Sequence, residues 1–211
     1  MKIILARHGE DESGYRGGWS PRGLTADGIL QSRKLGAYLA RHQAVFNINT
    51  IVSSDLQRAM ETAREAAAEL KLPVIYSSAW REMNNGLLAG MPNPEAERRF
   101  PGVYFNTLRM DEPFPEGESP QQFYARIRGA FEHLLSRLEQ AELEANVLVV
   151  THGGVINVIY YLLSRLDWTN KAPFHSAGST GLHIVERTEE GWTITGRNET
   201  SHLAVEEDSA V

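Results

Sequence analysis

Apolar positions along the chain switch between two patterns: short continuous runs and a repeat of three to four residues. The runs Ile3-Ile4-Leu5-Ala6, Thr50-Ile51-Val52-Ser53, Pro73-Val74-Ile75-Tyr76 and Val147-Leu148-Val149-Val150-Thr151 read as strands. Helical spacing fills the intervals. Leu24-Thr25 introduces a helix over about 26–41, with Leu30, Leu35, Tyr38 and Leu39 on one face. Ser53-Ser54-Asp55 is expected to cap a second helix carrying Leu56, Ala59, Met60, Ala63, Ala67 and Leu70. A long helix is predicted from 119 to about 144 and another over 155–166. Segments 181–186 and 192–197, joined by Glu189-Glu190-Gly191, read as a terminal hairpin. Residues 83–118 are rich in Pro, Gly and Asn and follow neither period, apart from a short helix at 94–100. They read as a loop-rich excursion over one end of a sheet, where binding loops lie.

Strands alternating with helices predict an α/β fold of three layers, a mostly parallel sheet with helices on both faces. At 211 residues and 42% hydrophobic content the chain suits one domain over 1–211, closing in a flexible acidic tail at about 200–211. The net charge of −6 argues against a nucleic-acid partner, which calls for a basic face. There is no cysteine, so thiolate metal sites and cysteine nucleophiles are excluded, in keeping with a reducing compartment. No segment reaches the roughly 18 apolar residues of a membrane span. The N-terminus lacks the apolar segment and cleavage site of a signal peptide. The expectation is a cytoplasmic protein with no membrane partner. A homodimer could form through strand 147–151, the terminal hairpin or an edge strand.

The chemistry concentrates where strands end. The first strand runs into Arg7-His8-Gly9-Glu10 and the 147–151 strand into His152-Gly153-Gly154. In an open α/β sheet the loops beyond the strands' carboxyl ends build the site, and the loop after the second strand adds Ser54 and Arg58 there. Arg58 in the first turn of a capped helix, joined by Arg7, makes an anion site. Taken alone, Arg58 reads as a surface residue paired with Asp55 or Glu61. Each guanidinium–anion pair contributes roughly 4 kcal/mol at 4 Å and an effective dielectric near 20, which sets the sign of the ligand as negative. A phosphoryl group supplies enough oxygens for several donors. A neutral imidazole in such a pocket is a competent nucleophile, and the second histidine can donate to the equatorial oxygens. Glu82, after the third strand, is the candidate proton donor for the leaving group, although alone it reads as a surface partner of Arg81. A dinuclear metal site is disfavoured, because no His-x-His or His-x-x-x-His spacing occurs. His42, His133, His175, His183 and His202 read as helix-surface or late-loop residues without a part in the site.

Together these segments resemble the histidine phosphatase superfamily, also called the phosphoglycerate mutase-like family. Arg7-His8-Gly9-Glu10 resembles its Arg-His-Gly-Glu signature. Gly18-Trp19 and Leu24-Thr25-Ala26-Asp27-Gly28 resemble the Gly-Trp and Leu-Thr-x-x-Gly segments that follow. The stretch from Ser53-Ser54-Asp55-Leu56 to Arg58-Ala59 and Thr62-Ala63, then Arg81-Glu82 with Gly86 and Gly90, Gly117-Glu118-Ser119, and Val150-Thr151-His152-Gly153-Gly154 match later motifs in order. The resemblance implies a phosphoglycerate mutase-like fold, His8 as phosphohistidine nucleophile and Glu82 as general acid. It also implies that Arg7, Arg58, His152 and Gly153 bind phosphate, with no metal, nucleotide or other cofactor required.

Within the family, the bisphosphoglycerate-dependent mutases carry Asn seven residues after the nucleophile and Asp two residues after the Trp. Tyr15 and Pro21 stand there, and the excursion is short where the mutases have a longer insertion. These departures favour a phosphoric monoester hydrolase of the histidine acid type, acting on a small phosphorylated metabolite, over a 2,3-bisphosphoglycerate-dependent mutase. A third alternative is an inactive module that binds phospho-ligands, against which the presence of all five core residues speaks. Arg16, Trp19 and Arg22 are the candidate substrate-binding residues, with Met83, Tyr104 and Phe105 on the leaving-group side. Arg98 and Arg99, like Arg16 and Arg22, could meet a second phosphate or simply be solvated.

Overall fold

The run Lys2–Arg7 (β1) is buried at its four central residues because it lies inside the sheet, with neighbours on both sides. The computed structural model describes residues 1–204. In chain order it forms β1, α1 (Ala26–Arg41), α2 (Gln43–Phe46), β2 (Thr50–Ser53), α3 (Gln57–Leu70), β3 (Val74–Tyr76), α4 (Asn93–Arg99), α5 (Pro120–Glu139), β4 (Val147–Thr151), α6 (Gly153–Ser164), β5 (Leu182–Thr188) and β6 (Gly191–Glu199). The six strands lie in the order β3-β2-β4-β1-β5-β6. The first four pair in parallel, and the terminal hairpin adds antiparallel to β1. This is the three-layer α/β arrangement expected from the alternation of elements.

Strand periodicity sorts the core into two faces. Ile3, Leu5, Val147 and Val149 pack with Phe123, Ile127 and Phe131 of α5 and Ile156 and Ile159 of α6. Ile4, Ala6, Leu148 and Val150 pack with Leu35 and Leu39 of α1 and Ala59, Ala63 and Ala66 of α3. Small residues on α3 let α1 pack closely against it, and the two helices are in extensive contact.

Several boundaries differ from the sequence expectation, each for a local reason. Helix α3 starts at Gln57 with Leu56 as N-cap. Ser54 Oγ accepts the Leu56 amide before the helix begins, at 3.2 Å, so the serines close a turn rather than cap the helix. Helix α5 opens with a capping box between Ser119 and Gln122, a device that contributes about 1 kcal/mol, but ends at Glu139 rather than near 144. Ala141 there takes a left-handed conformation, φ 55°, which no helix continues through. Helix α6 starts at Gly153, directly after the strand. Strand β4 lies between β2 and β1, so the 147–151 segment has no free edge for a dimer partner. Only β3 and β6 are edges. Of the acidic tail, Ser201–Leu203 forms a 3₁₀ turn that buries His202 against Thr180 and Tyr38, and residues 205–211 lie outside the described residues. No helix among the described residues is long and apolar enough to cross a membrane.

Candidate active site

Register brings the two histidines together. Arg7 pairs with Thr151 across the parallel β1–β4 ladder, so the next residues, His8 and His152, leave adjacent strands at the same height. The His8 amide donates to the Thr151 carbonyl at 2.9 Å, and the two rings lie 5.1 Å apart. Ser54 leaves β2 in the same manner, its amide on the Val150 carbonyl, and its hydroxyl meets His152 Nε2 at 2.8 Å. Gly9 then turns the chain onto α1 and α3. A Cβ there would overlap the Gly28 carbonyl, and its amide donates to Thr62 Oγ1 at 2.9 Å. The glycines at 9 and 28 are therefore required by close approach of two backbones.

His8 Nδ1 lies 2.7 Å from the Gly9 carbonyl, a pure acceptor, so Nδ1 carries the proton. The Nε2 lone pair accepts from Arg58 Nε at 3.2 Å. Arg58 is 2% exposed, held by the Gly18 and Ser20 carbonyls and ion-paired with Asp11 at 3.5 Å. It makes neither of the surface pairings open to it in the sequence: Asp55 instead takes a bidentate pair with Arg81, and Glu61 accepts the Leu24 amide. Arg7 anchors on the Ala177 carbonyl at 2.7 Å. Burial, then the Arg58 and Arg7 charges, hold the His8 imidazole well below the ordinary histidine value. Burial followed by the Arg58 charge does the same to His152. Both rings are neutral at neutral pH.

Glu82 is fixed by backbone donors. Its Oε1 accepts the Met83 amide at 3.0 Å and its Oε2 the Gly154 amide at 2.9 Å, in the first turn of α6. A Cβ on Gly154 would overlap Glu82 Oε1, so the second glycine after His152 is what lets the carboxylate dock. The α6 N-terminus therefore faces the site, alongside Arg58 from the first turn of α3. Arg126 of α5 was not singled out from the sequence, yet it braces the Glu82 segment from behind. It donates to the carbonyls of Ala79, Arg81 and Glu82 and is ion-paired with Glu118 at 2.7 Å.

These groups open onto a cavity of about 690 Å³ whose floor includes Arg7, His8, Arg58, Glu82 and Gly153. His152 sits beside His8, fully buried, its Nδ1 without a partner. Arg16 and Arg22 also line the cavity, as do Met83, Tyr104 and Phe105. Trp19 does not. Its indole donates to the Glu82 carbonyl at 2.7 Å and carries the Arg81 guanidinium on its face, so it supports the acid segment rather than meeting a ligand. Arg98 and Arg99 lie on α4 away from the lining residues. Among the described residues no group of three or more His, Asp or Glu side chains is arranged to hold a metal ion.

The remaining histidines are not all surface residues. His183 on β5 is fully buried against Tyr160 OH at 2.7 Å, and burial holds both it and His202 down to about 4. A folded state that refuses protons the unfolded chain accepts near 6.5 is stable above that pH and loses stability below it. With four such histidines, the thermal midpoint is expected to fall steadily from about pH 6.5 to about pH 4, measured by scanning calorimetry across that window. A flat profile would contradict the burial of neutral rings.

Comparison with known proteins agrees with this geometry. An uncharacterized phosphatase, PhoE, of Bacillus subtilis is 29% identical over 205 residues, covering 96% of each chain. A 2,3-bisphosphoglycerate-dependent phosphoglycerate mutase of Methylorubrum populi is 28% identical over 204 residues, 92% of this chain and 93% of that one. The crystal structure of the alpha-ribazole phosphatase from Shigella flexneri superposes with a TM-score of 0.76 at 23% identity, over 95% of this chain and 97% of that one, and shares the fold. The family model for the histidine phosphatase superfamily (branch 1) matches residues 3–200, and the chain belongs to that superfamily.

Proposed function

We propose that this chain is a metal-independent phosphomonoester hydrolase that works through a phosphohistidine at His8 Nε2. The observation that carries the reading is the 2.7 Å contact of His8 Nδ1 with the Gly9 carbonyl. It supports a proton on Nδ1 and an Nε2 lone pair that accepts from Arg58 Nε until a phosphoryl group takes its place. In the first step Nε2 attacks phosphorus in line, the phosphorus–oxygen ester bond breaks, and protonated Glu82 delivers its proton to the departing alkoxide. In the second step Glu82 takes a proton from water, the water oxygen attacks phosphorus, and the N–P bond breaks to release inorganic phosphate and neutral His8. Arg7 and Arg58 neutralise the phosphoryl oxygens through both steps, and the unpartnered His152 Nδ1, oriented by Ser54, is the remaining donor.

The mutase alternative requires a second cationic subsite to retain a bisphosphorylated intermediate. Tyr15, where the mutases carry Asn, lies under the Arg22 guanidinium at 3.3 Å, and Arg22 is ion-paired with Glu12. That cation is already neutralised, which supports the hydrolase. The test is a panel of phosphomonoesters assayed for phosphate release with EDTA present, alongside phosphoglycerate interconversion with 2,3-bisphosphoglycerate added. Release without interconversion is expected. Efficient interconversion with little release would establish the mutase, and loss of all activity with EDTA would overturn the metal-free chemistry.

A further inference from the structure

We propose that the leaving-group side of the His8 cavity selects an uncharged, ring-bearing alcohol, so that the substrate is a phosphomonoester of an aromatic or similarly apolar alcohol rather than a phosphorylated acid. This rests on the hydrolase reading above and deepens it. Phe174, in the loop between α6 and β5, lines the cavity with 60% of its surface exposed. It stands close to Gly153 and Arg7: a Cβ at 153 would lie 3.5 Å from Phe174 Cζ and 4.0 Å from Arg7 Cδ. An exposed phenyl ring therefore stands directly beside the phosphate floor, where the first atoms of the leaving group must pass. A large apolar ring left open inside a concave site marks a binding surface, since burying it against a ligand ring is favourable and leaving it in water is not.

The part of the lining that the excursion supplies has the same character. Val103, Tyr104 and Phe105 of the excursion line it, with Met83 and Leu88 buried beneath. This wall is held in shape from behind, because Asn170 Nδ2 binds the carbonyls of Phe105 and Leu108 at 2.6 and 2.9 Å. The Tyr104 hydroxyl is bound by Glu97 and its ring face by Arg16, 4.1 Å away, so it offers no free hydrogen-bonding group.

The charges at the mouth reject an anionic leaving group. Glu10, Asp11 and Glu12 line it against Arg16 and Arg22. Arg22 is paired with Glu12, and Arg16 lies 3.8 Å from Glu97. Both guanidiniums are thus already partnered, so a second carboxylate or phosphate on the substrate finds no free cation there.

The experiment compares kcat/KM for 2-phenylethyl phosphate and 3-phosphoglycerate, both esters of alcohols, so that recognition rather than leaving-group chemistry sets the ratio. The wild-type protein is expected to prefer the phenylethyl ester by at least roughly tenfold. Phe174→Ala is expected to cut that ratio by roughly tenfold. Glu12→Gln, which releases Arg22, is expected to narrow it from the other side by raising use of 3-phosphoglycerate. An equal or reversed wild-type preference, or equal loss on both esters in Phe174→Ala with no gain in Glu12→Gln, would overturn the subsite. Phosphate release in either order of preference leaves the hydrolase reading standing. No release from either ester or from p-nitrophenyl phosphate would overturn both.

Discussion

His8→Ala is expected to lower kcat/KM for every phosphomonoester by at least about 10⁴-fold, with the fold retained. The size follows from the site's construction. Among the described residues His8 Nε2 is the ring nitrogen that accepts from the Arg58 guanidinium at the cavity floor, and the Gly9 carbonyl fixes it in that form. His152 cannot substitute, since its Nε2 is engaged by Ser54 and its ring is fully buried. Steady-state assays are read beside the thermal midpoint, whose fall below pH 6.5 should be shallower in the variant because the depressed His8 proton affinity no longer contributes. Activity within tenfold of wild type would remove His8 as nucleophile.

Glu82→Gln is expected to separate substrates by leaving group. An alkyl phosphate needs a proton on the departing oxygen, and losing the acid should slow it by roughly 10²–10⁴-fold. p-Nitrophenyl phosphate departs as a stabilised phenolate and should lose far less. Glutamine keeps the side chain's shape but only one acceptor for the Met83 and Gly154 amides; that positional loss falls on both substrates, and the difference between them reports the proton. Equal losses on the two substrates would show that the residue positions the loop, as Arg126 and Trp19 do through the Glu82 carbonyl, and is not the acid.

How much of this was legible in the sequence depended on the range of the interaction concerned. β1 and β4 were legible because a strand covered on both faces is apolar at every position, and the His-Gly pairs at their ends mark loops of close approach. The start of α5 was legible because a capping box is local, Ser119 and Gln122 being three residues apart. Its end was not, since Ala141 gives no sign of a left-handed turn. Nor was the start of α6, because two glycines in a first turn argue against a helix until their reason is seen: Gly154 must be bare to admit Glu82. At the site the charged and imidazole groups were readable from type and position. Their supports were not. Arg126 acts on carbonyls 44 to 47 residues away and Trp19 on a carbonyl 63 residues away, and neither has a spacing that tells of this support; Ser54 was placed at the site by its strand end, but not its bond to a ring 98 residues away. Phe174 was missed for the same reason: nothing in its neighbours along the chain tells that the loop returns to Gly153.

The central claim is a covalent phosphohistidine, and rapid acid-sensitive trapping tests it most directly. The protein is mixed with substrate labelled in its phosphoryl group, quenched in denaturant at alkaline pH within the first turnover, and digested for mass spectrometry. The prediction is a single phosphate on His8 Nε2, stable to alkali and lost in acid, absent from His8→Ala and formed no more slowly than product appears. Phosphate on another residue, or full turnover with no labelled protein at any mixing time, would contradict it.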